Sequence, residues 1–161
     1  MRFWLLSILL SVACVRAAEF EGCAAAEVTD SHGAKFSFWQ HTFESGARDL
    51  VMAQSPDDIK RVTFNNTQGC AYRVLAIAEG ASWGWHLAWV DAQKIYYARM
   101  DGEAWVSSVP KKIAAKDVSE LHFSQSTGLL KLSWHAADGT YSMQSDDEGR
   151  NWGSPEKNIG N

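Results

Sequence analysis

The stretch SDDEGRNW, residues 145–152, holds the residue types that acid–base catalysis or calcium binding would need. Three consecutive acidic residues offer carboxylates for either purpose, but no loop with EF-hand spacing surrounds them. Asp147 can instead accept backbone N–H hydrogen bonds inside a tight turn, Ser145 can add a hydroxyl contact, and Gly149 allows a positive φ. We therefore predict a structural turn covered by Trp152, and no metal site.

Other patterns that carry chemistry are weak in this chain. The histidines show no metal-ligand spacing, and the sequence contains no Gly-x-Ser-x-Gly nucleophile motif. Carboxylates are plentiful, but no pattern shows a converging catalytic pair. These observations predict a protein that is not an enzyme and needs no cofactor. The five histidines are His32, His41, His86, His122 and His135.

Short runs rich in aromatic and branched residues, separated by turn residues, predict β-strands along most of the chain. The runs also repeat. Trp89 and Trp134 lie 45 residues apart, and so do Tyr96 and Tyr141, so the two residue types recur in the same order at the same spacing. This spacing predicts a repeated structural unit.

The repeat divides the chain into units at about 24–66, 71–115 and 116–161, of which the first is the faintest. Each unit has room for a four-stranded antiparallel meander that cannot bury both of its faces alone. The fold class expected is therefore all-β, in one domain that spans residues 19–161.

The turn and the repeat together carry a resemblance to a known family. Ser145-x-Asp147-x-Gly149-x-x-Trp152 resembles the Asp-box, or BNR repeat, of sialidase-like β-propellers, whose motif reads Ser-x-Asp-x-Gly-x-Thr-Trp. Asn151 stands where the family has threonine. The resemblance implies about three propeller blades. Because propellers usually close with four to eight blades, it also suggests that a homodimer completes the ring.

In related propellers the hairpins between the second and third strands lie on the face that usually holds the ligand. Carried over to this chain, that face would include residues 41–49, with His41, Glu44 and Arg48, and the hairpin that contains Asp91. Long loops on a rigid scaffold are where binding groups tend to lie. We therefore expect these four residues to contact a ligand.

The tryptophans divide into two groups. Trp89 and Trp134 recur at repeat positions and are expected in the core. Trp83 and Trp85 share one side of an extended segment and fall outside the repeat positions. Aromatic rings near carboxylates suit the apolar C–H faces of sugars, so Trp83 and Trp85 are predicted to bind a ligand.

Two functional classes follow for a non-catalytic chain of this kind. The first is a secreted or periplasmic glycan-binding module. The alternative is a protein-binding inhibitor or immunity-type protein, whose acidic charge would suit a basic cell-envelope hydrolase. A sialidase-type glycoside hydrolase fragment is the enzymatic alternative. The closest match to the family's arginine motif is Tyr72-Arg73-Val74, followed by Leu75 where the family has proline.

The first 18 residues combine Arg2, an apolar run and small residues, which is typical of a secretory signal peptide cleaved near Ala17 or Ala18. The protein is therefore expected to be secreted or periplasmic, without a membrane span. A lipoprotein anchored through Cys14 is an alternative.

In the mature chain, 13 basic residues face 19 acidic ones, a net charge of −6, which argues against nucleic acid as a partner. The expected partner is a glycan or an extracytoplasmic protein. Cys23 and Cys70 remain after cleavage, and an oxidising compartment favours a disulfide between them. Asn65 lies in a sequon that matters only in a glycosylating host.

Overall fold

The computed structural model describes residues 25–55, 57–64, 74–80, 84–91, 93–102, 107–113 and 115–158. In these ranges the chain forms strands and turns, without a helix, and none of this part of the protein could cross a bilayer as a helix. The strands are β1 (Ala26–Thr29), β2 (Lys35–Thr42), β3 (Arg48–Ala53), β4 (Ile59–Arg61), β5 (Leu75–Glu79), β6 (Gly84–Asp91), β7 (Lys94–Asp101), β8 (Lys111–Ile113), β9 (Glu120–Ser126), β10 (Leu129–Ala136), β11 (Gly139–Ser145) and β12 (Glu156–Asn158).

The strands form three four-stranded sheets, each built from four consecutive strands. We call them the first sheet (β1–β4), the second sheet (β5–β8) and the third sheet (β9–β12). All neighbouring strands are antiparallel. The prediction of an all-β chain made of four-stranded antiparallel meanders is thus confirmed. Several predictions concern residues outside the described ranges and stay predictions. They are the signal peptide, the lipid anchor at Cys14, the disulfide between Cys23 and Cys70, and the sequon at Asn65.

A cross-strand aromatic pair explains the 45-residue spacing. Trp89 of β6 faces Tyr96 of β7, with ring centroids 6.0 Å apart and planes 13° apart. Trp134 and Tyr141 occupy the same register in the third sheet, at 5.8 Å and 14°. Each pair lies two residues from the end of its hairpin. The same place in the first sheet holds Gln40, which is why its repeat is faint in the sequence.

The second sheet lies between the other two and is covered on both faces. Side chains alternate along β6, so Trp85, Leu87 and Trp89 pack against the first sheet, while Ala88 packs against the third. Every side chain from Trp85 to Trp89 is buried. The near-continuous apolar run in this part of the sequence is therefore that of a doubly buried strand.

The two outer faces are not bare apolar surfaces. On the third sheet, His122, Ser133 and His135 alternate with buried core residues and point outward. On the first sheet, Asp49 and Val51 of β3 are fully buried although they lie on the face away from the second sheet. Dimerisation to cover these faces stays a prediction.

The turn between β11 and β12 ties the third sheet to the second. The Trp152 ring meets the Tyr97 ring edge-on, with centroids 4.9 Å apart. Gly149 lies directly under the same tyrosine, where an added Cβ would be 1.7 Å from Tyr97 Oη. Gly149 also has a φ of +77°. Glycine is therefore required here both by backbone conformation and by space.

We predict that Gly149→Ala destabilises the protein much more than Gly128→Ala. Both glycines have positive φ, but a Cβ at Gly128 would meet nothing within 4 Å. The backbone cost of about 1–2 kcal/mol is common to both variants, whereas only Gly149→Ala adds an overpacking cost of about 1–3 kcal/mol. Urea unfolding of the two variants measures the difference. Equal losses would show that the turn does not press on Tyr97.

Candidate functional site

The turn at residues 145–152 is held by its own side chains. Ser145 Oγ accepts a hydrogen bond from the Gly149 amide at 2.8 Å and donates to Asp147 Oδ1 at 2.8 Å. The Asn151 amide donates to the same carboxylate oxygen at 2.8 Å, and Asn151 Nδ2 donates to Asp147 Oδ2 at 2.6 Å. Asn151, the departure from the resembled motif, thus supplies two of the bonds that fix the turn.

These hydrogen bonds explain the electrostatics of the turn. The Asn151 backbone amide, then the Asn151 side chain and the Ser145 hydroxyl, lower the pKa of Asp147 to about 2. Both carboxylate oxygens are occupied within the turn. Asp147 is therefore engaged in holding the turn together, as a structural carboxylate would be.

A histidine–tyrosine pair next to the turn is also buried. His86 Nδ1 lies 2.8 Å from Tyr97 Oη, and both side chains are almost fully inaccessible. Burial, followed by the nearby Arg99 charge, lowers the pKa of His86 to about 4. Burial also raises the pKa of Tyr97. At neutral pH the two side chains form a neutral hydrogen-bonded pair. Both belong to the second sheet and are buried where it packs on the third, so a substrate cannot reach them.

The β2–β3 hairpin contains three of the predicted ligand residues. Its turn is closed by hydrogen bonds from the Phe43 amide to the Ala47 carbonyl and from the Gly46 amide to the Phe43 carbonyl, both 2.8 Å. Glu44 is exposed at the turn, while His41 and Arg48 are half-buried where the strands enter it.

An aromatic surface runs along the outer face of this hairpin; we define it as Trp39, His41, Phe43, Arg61 and Phe64. The His41 ring lies between those of Trp39 and Phe43, at centroid distances of 6.2 Å and 4.7 Å, in edge-on contact with each. The Arg61 guanidinium carbon lies 4.6 Å from the Phe43 ring centroid and 4.7 Å from that of Phe64. One cation is thus held by two aromatic rings.

A buried carboxylate fixes the arginine in this position. Asp49 is fully buried and forms an ion pair with Arg61. Thr63 Oγ1 donates to Asp49 Oδ1 at 2.9 Å and accepts from the Leu50 amide at 3.0 Å. Because the carboxylate is satisfied from two sides, the guanidinium is oriented before any ligand arrives. Phe64, beside it, is 70% exposed.

Sequence reasoning missed Phe43, Arg61 and Phe64. Phe43 could have been found from its position. Trp39, His41 and Phe43 occupy alternate positions, and alternate side chains of an extended segment lie on the same side. Arg61 and Phe64 join the aromatic surface through the pairing of β4 with β3, which the local sequence does not show.

The third sheet carries a separate pocket of about 550 Å³ near the end of the β10–β11 hairpin. His135 Nδ1 lies 3.0 Å from Thr140 Oγ1, and His135 Nε2 lies 3.8 Å from the Glu120 carboxylate. The β10–β11 hairpin joins the second and third strands of its sheet, and hairpins of this kind were expected to lie on the ligand-binding face. The residues that line the pocket are Val74, Ser119, Glu120, Leu121, His122, Ser133, Trp134, His135 and Thr140.

The remaining predicted ligand residues are not brought together. Trp85 is 4% exposed and packs edge-on against Phe36 and Phe38 in the core, so its prediction as a ligand-binding aromatic was wrong. Asp91 ends β6 opposite Lys94 and does not line the pocket. Trp83 lies outside the described residues.

Comparison with known proteins supports a fold and does not show a family. No family model and no curated protein matches the chain. The chain is similar in structure to an exo-β-1,3-galactanase from Phanerochaete chrysosporium in complex with β-1,3-galactotriose, with a TM-score of 0.53 and 9% identity. The match covers 83% of this chain and 35% of the galactanase. A fucose lectin from Kordia zhangzhouensis in complex with methyl-fucoside matches 81% of this chain and 96% of the lectin, with a TM-score of 0.43 and 11% identity.

We predict that the contribution of Asp147 to stability disappears in acid. Its pKa is about 2 in the fold against an ordinary value of 3.8, so the stabilisation is complete above pH 3.8 and is lost as the pH falls through 2. Asp147→Asn should therefore lower the melting temperature at neutral pH and differ much less from wild type near pH 2. Calorimetric melting across this range measures the difference.

The matched control is Asp146→Asn, which changes an exposed neighbour that makes no hydrogen bond in the turn. This variant should melt close to wild type at neutral pH. A gap between wild type and Asp147→Asn that is the same at every pH would contradict the structural role given to the ionised carboxylate.

Proposed function

We propose that this protein is a non-catalytic glycan-binding module, built from sialidase-like propeller repeats and acting outside the cytoplasm. The observation that carries the proposal is the aromatic surface of the first sheet, where rings on β2 adjoin a fixed arginine. Sugar rings present apolar C–H faces that pack on aromatic side chains, and hydroxyl rims that need hydrogen-bond partners. The surface offers both kinds of contact.

The contacts divide by chemistry. Phe64, the most exposed ring of the surface, is the platform for a sugar face. Glu44 lies in the adjoining turn and supplies acceptors for hydroxyl groups, while Arg48, the first residue of β3 after that turn, supplies donors. His41, between two aromatic neighbours, places a polar ring edge within an otherwise apolar strip.

Two further observations support this reading. The similar galactanase binds a galactose oligosaccharide, which makes carbohydrate a reasonable ligand class for a chain that shares its fold. In addition, Asp49 is committed to Arg61 and Asp147 to its own turn, so neither carboxylate is free to act as a glycosidase acid or nucleophile. The first observation supports the ligand class, and the second favours binding over hydrolysis.

A second candidate function is favoured by the exposure of Phe64. A ring that is 70% exposed beside a cation is also what a protein interface uses as an anchor. On that alternative the protein inhibits a cell-envelope hydrolase, and the acidic charge of the chain attracts a basic enzyme.

The test of the glycan proposal is calorimetric titration with neutral oligosaccharides, beginning with β-1,3-galactotriose and continuing across a glycan array. We expect Phe64→Ala and His41→Ala each to weaken binding about tenfold, the effect of losing one aromatic contact. His122→Ala, an exposed histidine that lines the pocket of the third sheet, is the matched control and should bind as wild type does.

The possible outcomes separate the candidate sites and the candidate functions. If binding survives both first-sheet variants and is lost in His122→Ala, the pocket of the third sheet is the binding site and the aromatic surface is not. If no glycan on the array binds, the glycan proposal fails. Binding of a basic hydrolase with loss of its activity, both abolished by Phe64→Ala, would then support the inhibitor function.

A further inference from the structure

The turn after β1 meets the end of β5 at a cluster of three side chains that are typical metal ligands. Asp30 and His32 come from the β1–β2 turn of the first sheet, and Glu79 is the last residue of β5 in the second sheet. One ligand atom from each residue lies within 4.8 Å of the other two. Glu79 is distant in sequence from the other two and is brought to them by the packing of the two sheets.

The two carboxylates are held in place by neutral donors. Asp30 Oδ1 accepts hydrogen bonds from the amides of His32 and Ala34, at 2.9 and 2.7 Å. Ser31 donates to both oxygens of Glu79, from its hydroxyl at 2.7 Å and from its amide at 2.8 Å. These bonds orient both carboxylates without supplying any positive charge.

In the part of the chain that the structure describes, no lysine or arginine compensates the charge of the cluster. The ion pairs among the described residues involve other carboxylates, and neither Asp30 nor Glu79 pairs with a lysine or arginine there. Two carboxylates this close repel each other, and the repulsion grows where the side chains are partly shielded from water, as both are here. A bound cation would turn this repulsion into attraction.

The donor set selects the kind of cation. One imidazole nitrogen with two carboxylate oxygens suits Zn²⁺ and related first-row divalent ions, whereas Ca²⁺ and Mg²⁺ prefer sites made of oxygen alone. Three protein ligands leave a position for water. We propose that Asp30, His32 and Glu79 form a binding site for one divalent transition cation, for which Zn²⁺ is the probe.

Binding at this place would clamp the first sheet to the second. The β1–β2 turn lies at the opposite end of β2 from the β2–β3 hairpin, so the cation site is separate from the aromatic surface. The proposal therefore does not depend on glycan binding, and either one can fail without the other.

The experiment is a titration of the EDTA-treated, metal-free protein with ZnCl₂, followed by calorimetry and by thermal melting. We expect one equivalent of Zn²⁺ to bind. At a hundredfold excess over the dissociation constant the melting temperature should rise by about 5–10 °C, because the ion binds only the folded chain. Co²⁺ should bind at the same place and show the visible absorption bands of a site with a nitrogen ligand.

The variants are chosen to keep the fold. Asp30→Asn keeps an oxygen acceptor for both amide hydrogen bonds of Asp30, and Glu79→Gln keeps one for one of the two bonds from Ser31. His32→Ala removes an exposed side chain. Each should weaken Zn²⁺ binding at least tenfold and abolish the rise in melting temperature. The matched control is His135→Ala, which removes another exposed histidine that lies beside a carboxylate. It should bind Zn²⁺ as wild type does.

Several results would overturn the proposal. One is a wild-type melting temperature that Zn²⁺ does not change; another is Zn²⁺ binding that is equally strong in His32→Ala. Stabilisation by Ca²⁺ that is the same in wild type and in His32→Ala would also reject it, since the imidazole would then play no part. If a variant unfolds, the Co²⁺ spectrum of the wild type decides, because a spectrum without nitrogen ligation excludes His32.

Discussion

The burial of both faces of the second sheet is the constraint on which the rest of the structure depends. Side chains alternate along a strand, so a sheet packed on two sides must be apolar on both, and Leu87 and Ala88 have no exposed surface although they point in opposite directions. The buried His86 of this sheet finds its hydrogen-bond partner inside the protein, in Tyr97. The turn of the third sheet that contains Gly149 packs directly on Tyr97 of the second sheet. The packing of these two sheets therefore leaves no room for a side chain at position 149.

Much of this arrangement could be predicted from the sequence, because the repeated residues are also the packed ones. The 45-residue period records a tryptophan and a tyrosine that face each other across two antiparallel strands. The same reasoning, carried one step further, would have placed Trp85 correctly. Trp85 and Trp89 are an even number of residues apart in one strand, so both must lie on the same face, and Trp89 was already expected in the core. The error came from treating Trp85 as a partner of Trp83 instead of as a member of β6.

The candidate site was predictable only in part, for a physical reason. His41, Glu44 and Arg48 lie in one hairpin, and a hairpin is a local structure that the sequence specifies through its strands and turn. Arg61 and Phe64 join them through the return of β4 onto β3, and the buried charge of Asp49 holds the arginine there. No local pattern shows that a carboxylate in a strand will be buried and will need a cation from the next strand. The same limit applies to Asp30 and Glu79, which meet only because two sheets pack together.

The first sheet is the place where the repeat is least well kept, and this departure bears on function. Where the other sheets have a stacked tryptophan and tyrosine, it has Gln40 opposite Leu50, and its β2–β3 connection is longer than theirs. It also buries the carboxylate of Asp49, paired with Arg61, on the face that points away from the second sheet. Local rules of stability tend to be broken at functional sites, where another requirement acts on the sequence. A remnant of a longer protein with no surviving activity would have no reason to concentrate its departures in one sheet, around an oriented arginine and an exposed aromatic ring. The position of these departures therefore supports the proposal that the first sheet carries the binding site.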